Sequence, residues 1–348
     1  MINNTLRQRT SQLLPAASPG HVTVLDGWRG CAVGFVLISH FFNIKALSLG
    51  SLGVNFFFAL SGLLMANILF VKRVPLLAFY QHRLARVFPV FLVFVTGLYS
   101  IGGLLHSQES THYLATITFL RSYIGDVGIW QADLPIGHLW SLNVEEHAYL
   151  LLGGLALFVR SRRFAGLLLI TIGALSIATS LYYQLHESQY LLLHPSLHQR
   201  TEANLACLMF AGGYGLNKVS LKSRFHFLPI LTLICGILCY SDFAPWHAPI
   251  TLSPCFFAFS VVHLNETSLW AKNIFNFPPL RLLGLWSFSL YLWQQPFYHI
   301  VIDMEFNLVY SIAGLLLSFC VGVLSFYYLE RPLRRVINNI DIKRHFFR

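Results

Sequence analysis

Long apolar windows separated by short polar segments recur along the whole chain. Windows of about 20 residues are long enough as helices to cross a hydrocarbon core. They fall near 23–44, 51–71, 87–106, 138–159, 164–185, 201–217, 226–241, 248–265, 281–302 and 307–329. The windows near 201–217, 226–241 and 248–265 are the weakest, being short or interrupted by proline and polar residues. The pattern predicts an all-α, polytopic membrane protein of about ten transmembrane helices. One membrane domain is expected over 23–332, between an N-terminal segment, 1–22, and a basic tail, 333–348. The first 20 residues carry no apolar signal-peptide core, so the first window is expected to be a retained helix. The longest outer segment, about 107–137, is too short for an independent domain, and no soluble domain is expected after the last window.

Charge adds orientation. With the N-terminus in the cytoplasm and sides alternating, 21 of the 24 Lys and Arg residues fall on the inner side or its boundary. Only Lys45, Arg121 and Arg200 remain outside, which is the positive-inside pattern. Both termini are therefore expected to be cytoplasmic. The formal charge of +10 reads as a topology signal, and no nucleic-acid partner is expected. Composition agrees: 55% of residues are hydrophobic and 11% charged, against about 25% charged in soluble domains. All six cysteines lie in apolar windows and are expected as small buried hydrophobes without disulfides. Cys235 and Cys239 share a helical face, but with no His or further Cys close by in sequence no metal site is expected there.

Polar residues inside apolar windows are the candidates for chemistry, because they are costly in lipid. In the first window Arg29 and His40 are eleven residues apart. At 100° per residue they share a helix face, about 16 Å apart along the axis. Asp26 lies three residues before Arg29, a helical pairing distance. A neutral His40 imidazole could take a proton from a hydroxyl. The same span also fits an Arg29 that snorkels to inner headgroups and a His40 at the outer interface. The second window carries Asn55 and Ser61 among small residues suited to close helix packing. The segment Lys72 to Arg86 reads as an interfacial amphipathic helix on which Arg83 and Arg86 are neighbours. They could grip a phosphorylated ligand or anionic lipid. The fourth window opens with Gly137-His-Leu-Trp-Ser-Leu-Asn-Val-Glu-Glu-His147, containing Trp140, Ser141 and Glu145. His138 and His147 lack a zinc-motif spacing. The ninth window has a polar stripe, Ser287, Tyr291, Gln294, Gln295 and Tyr298, that should face a bundle interior or wet cavity, with Pro296 placed to kink the helix.

Together these segments resemble the acyltransferase 3 family of bacterial membrane proteins, which includes surface-glycan O-acetylases. The resemblance runs from Leu25 through Pro332. Leu25-Asp-Gly-Trp-Arg-Gly with His40 resembles the family's Arg-x10-His signature. Gly53 to Gly62, Arg83-Leu-Ala-Arg86, Trp140-Ser-Leu-Asn-Val-Glu145, Ser287 to Pro296 and Glu330-Arg-Pro332 are similar to its later motifs. Asn55 stands where Asp is frequent and Gln294 where His is frequent. The resemblance implies transfer of an acyl group, chiefly acetyl, from cytosolic acyl-CoA to a hydroxyl of a cell-surface or lipid-linked glycan. It implies no bound cofactor, with acetyl-CoA as co-substrate, and a multi-pass location in the bacterial inner (plasma) membrane. Donor binding then falls to Arg29, Asp26, Arg83 and Arg86. Catalysis falls to His40, as base or as covalent acyl relay, with Glu145 orienting the acceptor or His40. Asn55, Ser61, Trp140, Ser141, Tyr291 and Gln294 support the acceptor side. The rival classes are a secondary transporter, which predicts paired broken helices not found in the sequence, and a lipid-linked glycan flippase or glycosyltransferase.

Overall fold

A computed structural model describes residues 22–42, 44–105, 110–124, 129–130, 134–186 and 196–340. The expected N-terminal segment up to residue 21 and the tail from 341 lie outside the described residues, as do Glu109, Asp126, Asp133 and Glu187. All regular elements among the described residues are helices, with no strand; the one β-type contact there is a bridge between Leu47 and Ser241. Helices α1 (Val24–Phe41), α2 (Leu49–Ala66), α3 (Leu76–Leu105) and α4 (Ser110–Ile117) are followed by α5 (Leu139–Phe158) and α6 (Arg162–Leu185). Then come α7 (Ala206–Leu216), α8 (Leu228–Leu238), α9 (Ser253–His263), α10 (Leu269–Phe275), α11 (Pro278–Asp303), α12 (Leu308–Ser325) and α13 (Arg331–Asn338). Single π-helical turns extend α2 over Asn67–Val71 and join α12 to α13 over Phe326–Glu330.

Local chemistry sets several ends. Proline sits in the first turn of α8, α9 and α11, where its missing N–H costs nothing. Ser161 caps α6 by accepting from the Phe164 N–H, and Asn307 caps α12 by accepting from the Val309 N–H. Among the described residues, four stretches are long and apolar enough to cross a membrane: Leu49–Val71, Leu76–Gly102, Arg162–Leu185 and Leu308–Asn338. The three weakest windows are occupied by shorter helices, α7, α8 and α9, of 11 residues each. The exterior is rich in large apolar side chains, such as Phe158, Leu167, Leu185, Val309 and Leu316, while Gln294, Gln295, Ser289 and Glu330 are buried. This arrangement is the reverse of a soluble domain with its charged coat.

Two expectations are corrected. Lys72 to Arg86 is not a separate interfacial helix: α3 starts at Leu76 and continues unbroken through Pro89 for 30 residues. Arg83 and Arg86 are thereby carried into the bundle, where Glu145 and Glu146 meet Arg83. The cysteines are all free thiols, but Cys255 and Cys320 are exposed rather than buried. An apolar window does not specify which face is covered when the outer surface is itself apolar.

Helix α1 is the centre of the bundle, packed chiefly on α11 and α2. It runs parallel to α11, since Gly30 abuts Leu280 while His40 reaches Gln294. Small residues make this closeness possible. A Cβ on Gly284 would collide with the Asp26 carbonyl of α1, and one on Gly62 with the Leu208 carbonyl of α7. The Trp28 side chain locks α1 to α2 by donating to the Phe56 carbonyl at 2.9 Å and stacking on the Phe56 ring.

Candidate active site

Three cavities follow the length of α1. The first, about 560 Å³, lies at the N-terminal end of the helix and is lined by Asp26, Arg29, Lys72, Arg162 and Lys218 among others. Four cations against one carboxylate in that lining set make it a place for polyanions. Arg29 Nη1 is 3.6 Å from Asp26 Oδ1, and Arg281 Nη2 approaches the other Asp26 oxygen at 3.9 Å. Lys218 Nζ pairs with Glu266 at 2.6 Å, and the Leu221 N–H donates to the same carboxylate at 3.0 Å. Partial burial pushes the Glu266 carboxyl up, but the Lys218, Leu221 and His263 hydrogen bonds pull it down to about 2.

The second cavity, about 90 Å³, is lined by Arg29, Ser61, Arg83, Arg86, Glu145 and Tyr291 among others. Arg83 donates to Glu145 at 2.7 Å and to Glu146 at 3.1 Å, and its guanidinium lies 4.0 Å from the centre of the Tyr149 ring. Ser61 donates to the other Glu145 oxygen at 2.6 Å. Arg83 of α3, Glu145 of α5 and Ser61 of α2 thus form one charge-assisted network. Arg86 lines the same cavity. Glu330 is buried near the α3 side of the bundle, accepts from Ser289 at 2.8 Å and approaches Arg334 at 3.9 Å.

The third cavity, about 410 Å³, is lined by His40, Trp130, His138, Trp140, Asn204 and Tyr291 among others. His40 stacks on Tyr298 with ring centres 4.2 Å apart. Its Nδ1 is 2.7 Å from Gln294 Oε1, and the Gln294 amide nitrogen donates to Gln295 Oε1 at 3.1 Å. With the amides so placed, Gln294 Oε1 accepts from His40 Nδ1–H, and Nε2 of the neutral ring keeps its lone pair. Nε2 faces α2: a Cβ on Gly50 would lie 4.0 Å from it.

The cavities share walls. Arg29 borders the first and second; Val54 and Tyr291 border the second and third. Tyr291 is held in the partition by Ser141, with the two hydroxyls 2.7 Å apart, and donates to the His138 carbonyl at 2.9 Å. The arrangement can take a polyanion at one end, pass a slender group along α1, and offer an unprotonated imidazole nitrogen at the other.

Of the residues singled out from sequence, Asp26 and Arg29 pair as expected, and the ninth-window stripe is inward: Ser287 and Tyr291 line the second cavity, and Gln294 is buried against His40. Trp140 lines the third cavity, its ring set edge-on to Phe58. Glu145 is not brought to His40; its hydrogen bonds go to Ser61 and Arg83. Asn55 is also apart, donating to the Tyr240 hydroxyl, which in turn bonds Ser253. Sequence reasoning passed over Trp130 and the lining role of Lys72, Arg162, Lys218 and Asn204. His138 is a further lining residue, to which the sequence pattern assigns no acceptor role. Its place two residues before Trp140, at the mouth of a helix, was the available signal.

A family model described as an acyltransferase domain matches residues 22–331. Among curated proteins, the peptidoglycan O-acetyltransferase OatA of Listeria monocytogenes is 22% identical over 349 residues, covering 90% of this chain and 56% of that protein. The O-acetyltransferase OatA of Staphylococcus aureus is 27% identical over 354 residues, covering 91% of this chain and 58% of that protein. The chain thus spans little more than half the length of these relatives. No solved structure matches it.

Proposed function

The chain belongs to the acyltransferase-domain family, and from that premise we propose that it is an integral membrane O-acetyltransferase moving an acetyl group from cytosolic acetyl-CoA to a hydroxyl of a cell-surface glycan. The observation that carries this reading is the series of cavities along α1, cation-rich at one end and ending at His40 at the other. The proposal includes about ten transmembrane segments with both termini cytoplasmic, in a bacterial inner membrane. The apolar exterior and the one-sided distribution of Lys and Arg support it. Peptidoglycan, the glycan in the name of the Listeria relative, is the acceptor class proposed first.

In this reading the polyphosphate end of acetyl-CoA sits in the wide vestibule against Arg29, Lys72, Arg162 and Lys218. Arg83 is already occupied by two carboxylates, so its part is to hold the narrow middle cavity open and in register. The thioester arm passes Arg29 toward Tyr291. His40 Nε2 takes the proton of the acceptor hydroxyl as its oxygen attacks the thioester carbonyl carbon. The carbon–sulfur bond breaks, and the departing thiolate takes the proton back from the imidazolium. A relay through an N-acetyl on His40 is a second reading. It is favoured by the partition, because the second cavity and the His40 cavity are separate chambers joined at Tyr291. Labelled acetyl-CoA given without acceptor separates the two: label retained on the wild-type chain and lost in His40→Ala marks the relay, and none marks direct transfer.

The proposed function is tested by mass spectrometry of surface glycan from a deletion strain. Loss of acetyl-sized increments from an otherwise intact glycan is expected. Loss of the whole glycan would instead indicate a flippase or glycosyltransferase, and an unchanged glycan with altered solute uptake a transporter.

A further inference from the structure

The third cavity differs from the other two in one respect: among the described residues that line it there is no Asp, Glu, Lys or Arg. Its polar groups are imidazoles, amides and hydroxyls, and its large flat surfaces are Trp130 and Trp140. Trp130 is 37% exposed and stands edge-on to His40 with ring centres 6.4 Å apart, which puts it at the cavity's entrance. It is held there by Gly137, since a Cβ at that position would collide with the indole ring.

His138 supplies a second, independent pointer to a ligand. It is 1% exposed, and the Leu292 carbonyl beside it can serve at most one ring nitrogen; the other meets no donor or acceptor. Its backbone is fixed, because its carbonyl accepts from the Tyr291 hydroxyl and from the Ser141 backbone N–H. Buried polar groups without partners are costly and call for an occupant. Asn204, on the same cavity, is held by its amide donating to the His198 and Arg200 carbonyls at 2.8 Å each.

We infer that this cavity is a binding subsite for an uncharged pyranose ring, stacked at the entrance by Trp130 and hydrogen-bonded inside by His138. The inference rests on the glycan-acceptor reading and narrows it. A pyranose has an apolar C–H face that suits an indole and hydroxyls that suit an imidazole. A uronate, a phosphorylated sugar or a free amino sugar would carry its charge into a chamber whose described lining offers no counter-charge, and lose its hydration there. The subsite therefore selects neutral sugars over charged ones of the same ring size.

The test is isothermal titration of the full detergent-solubilised chain with three probes: fully N-acetylated chitotetraose, its de-N-acetylated cationic form, and tetragalacturonate. The neutral oligomer is expected to bind, and the two charged ones at least about tenfold more weakly. Trp130→Ala and His138→Phe should each weaken the neutral oligomer about tenfold, the effect of losing one good contact. His138→Gln, which keeps a hydrogen-bonding group, should recover most of the loss. Trp130 is partly exposed, so its variant remains informative if the buried His138→Phe fails to fold. Charged oligomers bound as tightly as the neutral one would overturn the inference. So would no binding of the neutral oligomer, or unchanged affinity in Trp130→Ala. Failure to turn over acetyl-CoA would sink the donor reading without touching this result.

Discussion

At His40 a neighbouring amide decides which ring nitrogen is free to react. Gln294 is neutral, so it neither charges the imidazole nor takes its proton; it holds Nδ1–H and leaves Nε2 open. His40→Ala should lower acetyl transfer by about 10²–10⁴-fold, the usual range for a removed general base. Gln294→Leu should leave the ring stacked on Tyr298 but free to change tautomer. Its kcat should fall by about 10- to 100-fold with little change in the acceptor KM, as for other orienting partners. Steady-state assays of both variants check this. The Asp26–Arg29 pair was readable from sequence because both residues lie on one helix at a fixed period. The Arg83–Glu145 bond was not, because it joins α3 to α5 across 62 positions and no period within either helix encodes it.

Between helices, close approach and buried charge carry the fold. Gly62→Ala would set a methyl against the Leu208 carbonyl, and backbone cannot swing aside as a side chain can. A loss of about 1–3 kcal/mol is expected from overpacking, seen as a lower unfolding midpoint in detergent. Arg83→Gln leaves Glu145 and Glu146 facing each other without their cation. The cost of breaking a buried pair from one side is about 3–5 kcal/mol, and Arg83→Gln combined with Glu145→Gln should recover part of it. The Lys218–Glu266 tie gives a pH signature. The folded carboxyl is held at about 2, below its ordinary 4.5, so this contribution is full above 4.5 and is lost as pH falls toward 2. Glu266→Gln should flatten the acid limb of an unfolding-midpoint profile. At this scale the apolar windows located the helices well, but they misassigned 72–86, where the polar spacing of a buried network imitates an interfacial face.

Across the whole molecule, the sequence's asymmetry of charge and the structure's chain of cavities point along one axis. The vestibule is a property of the whole bundle: Lys72, Arg162 and Lys218 come from three separate segments that only the fold brings together. Lys72→Ala is expected to raise the KM for acetyl-CoA about tenfold while leaving the acceptor KM unchanged, and to make donor binding less sensitive to salt. The central claim is that donor and acceptor enter from opposite faces. Proteoliposomes test it most directly, with acetyl-CoA and a neutral oligosaccharide supplied either on opposite sides of the bilayer or together on the outside. The account predicts acetylated oligosaccharide only when the two are on opposite sides, whichever way the protein is inserted. Acetylation of comparable rate with both substrates on the same side of intact vesicles would contradict it.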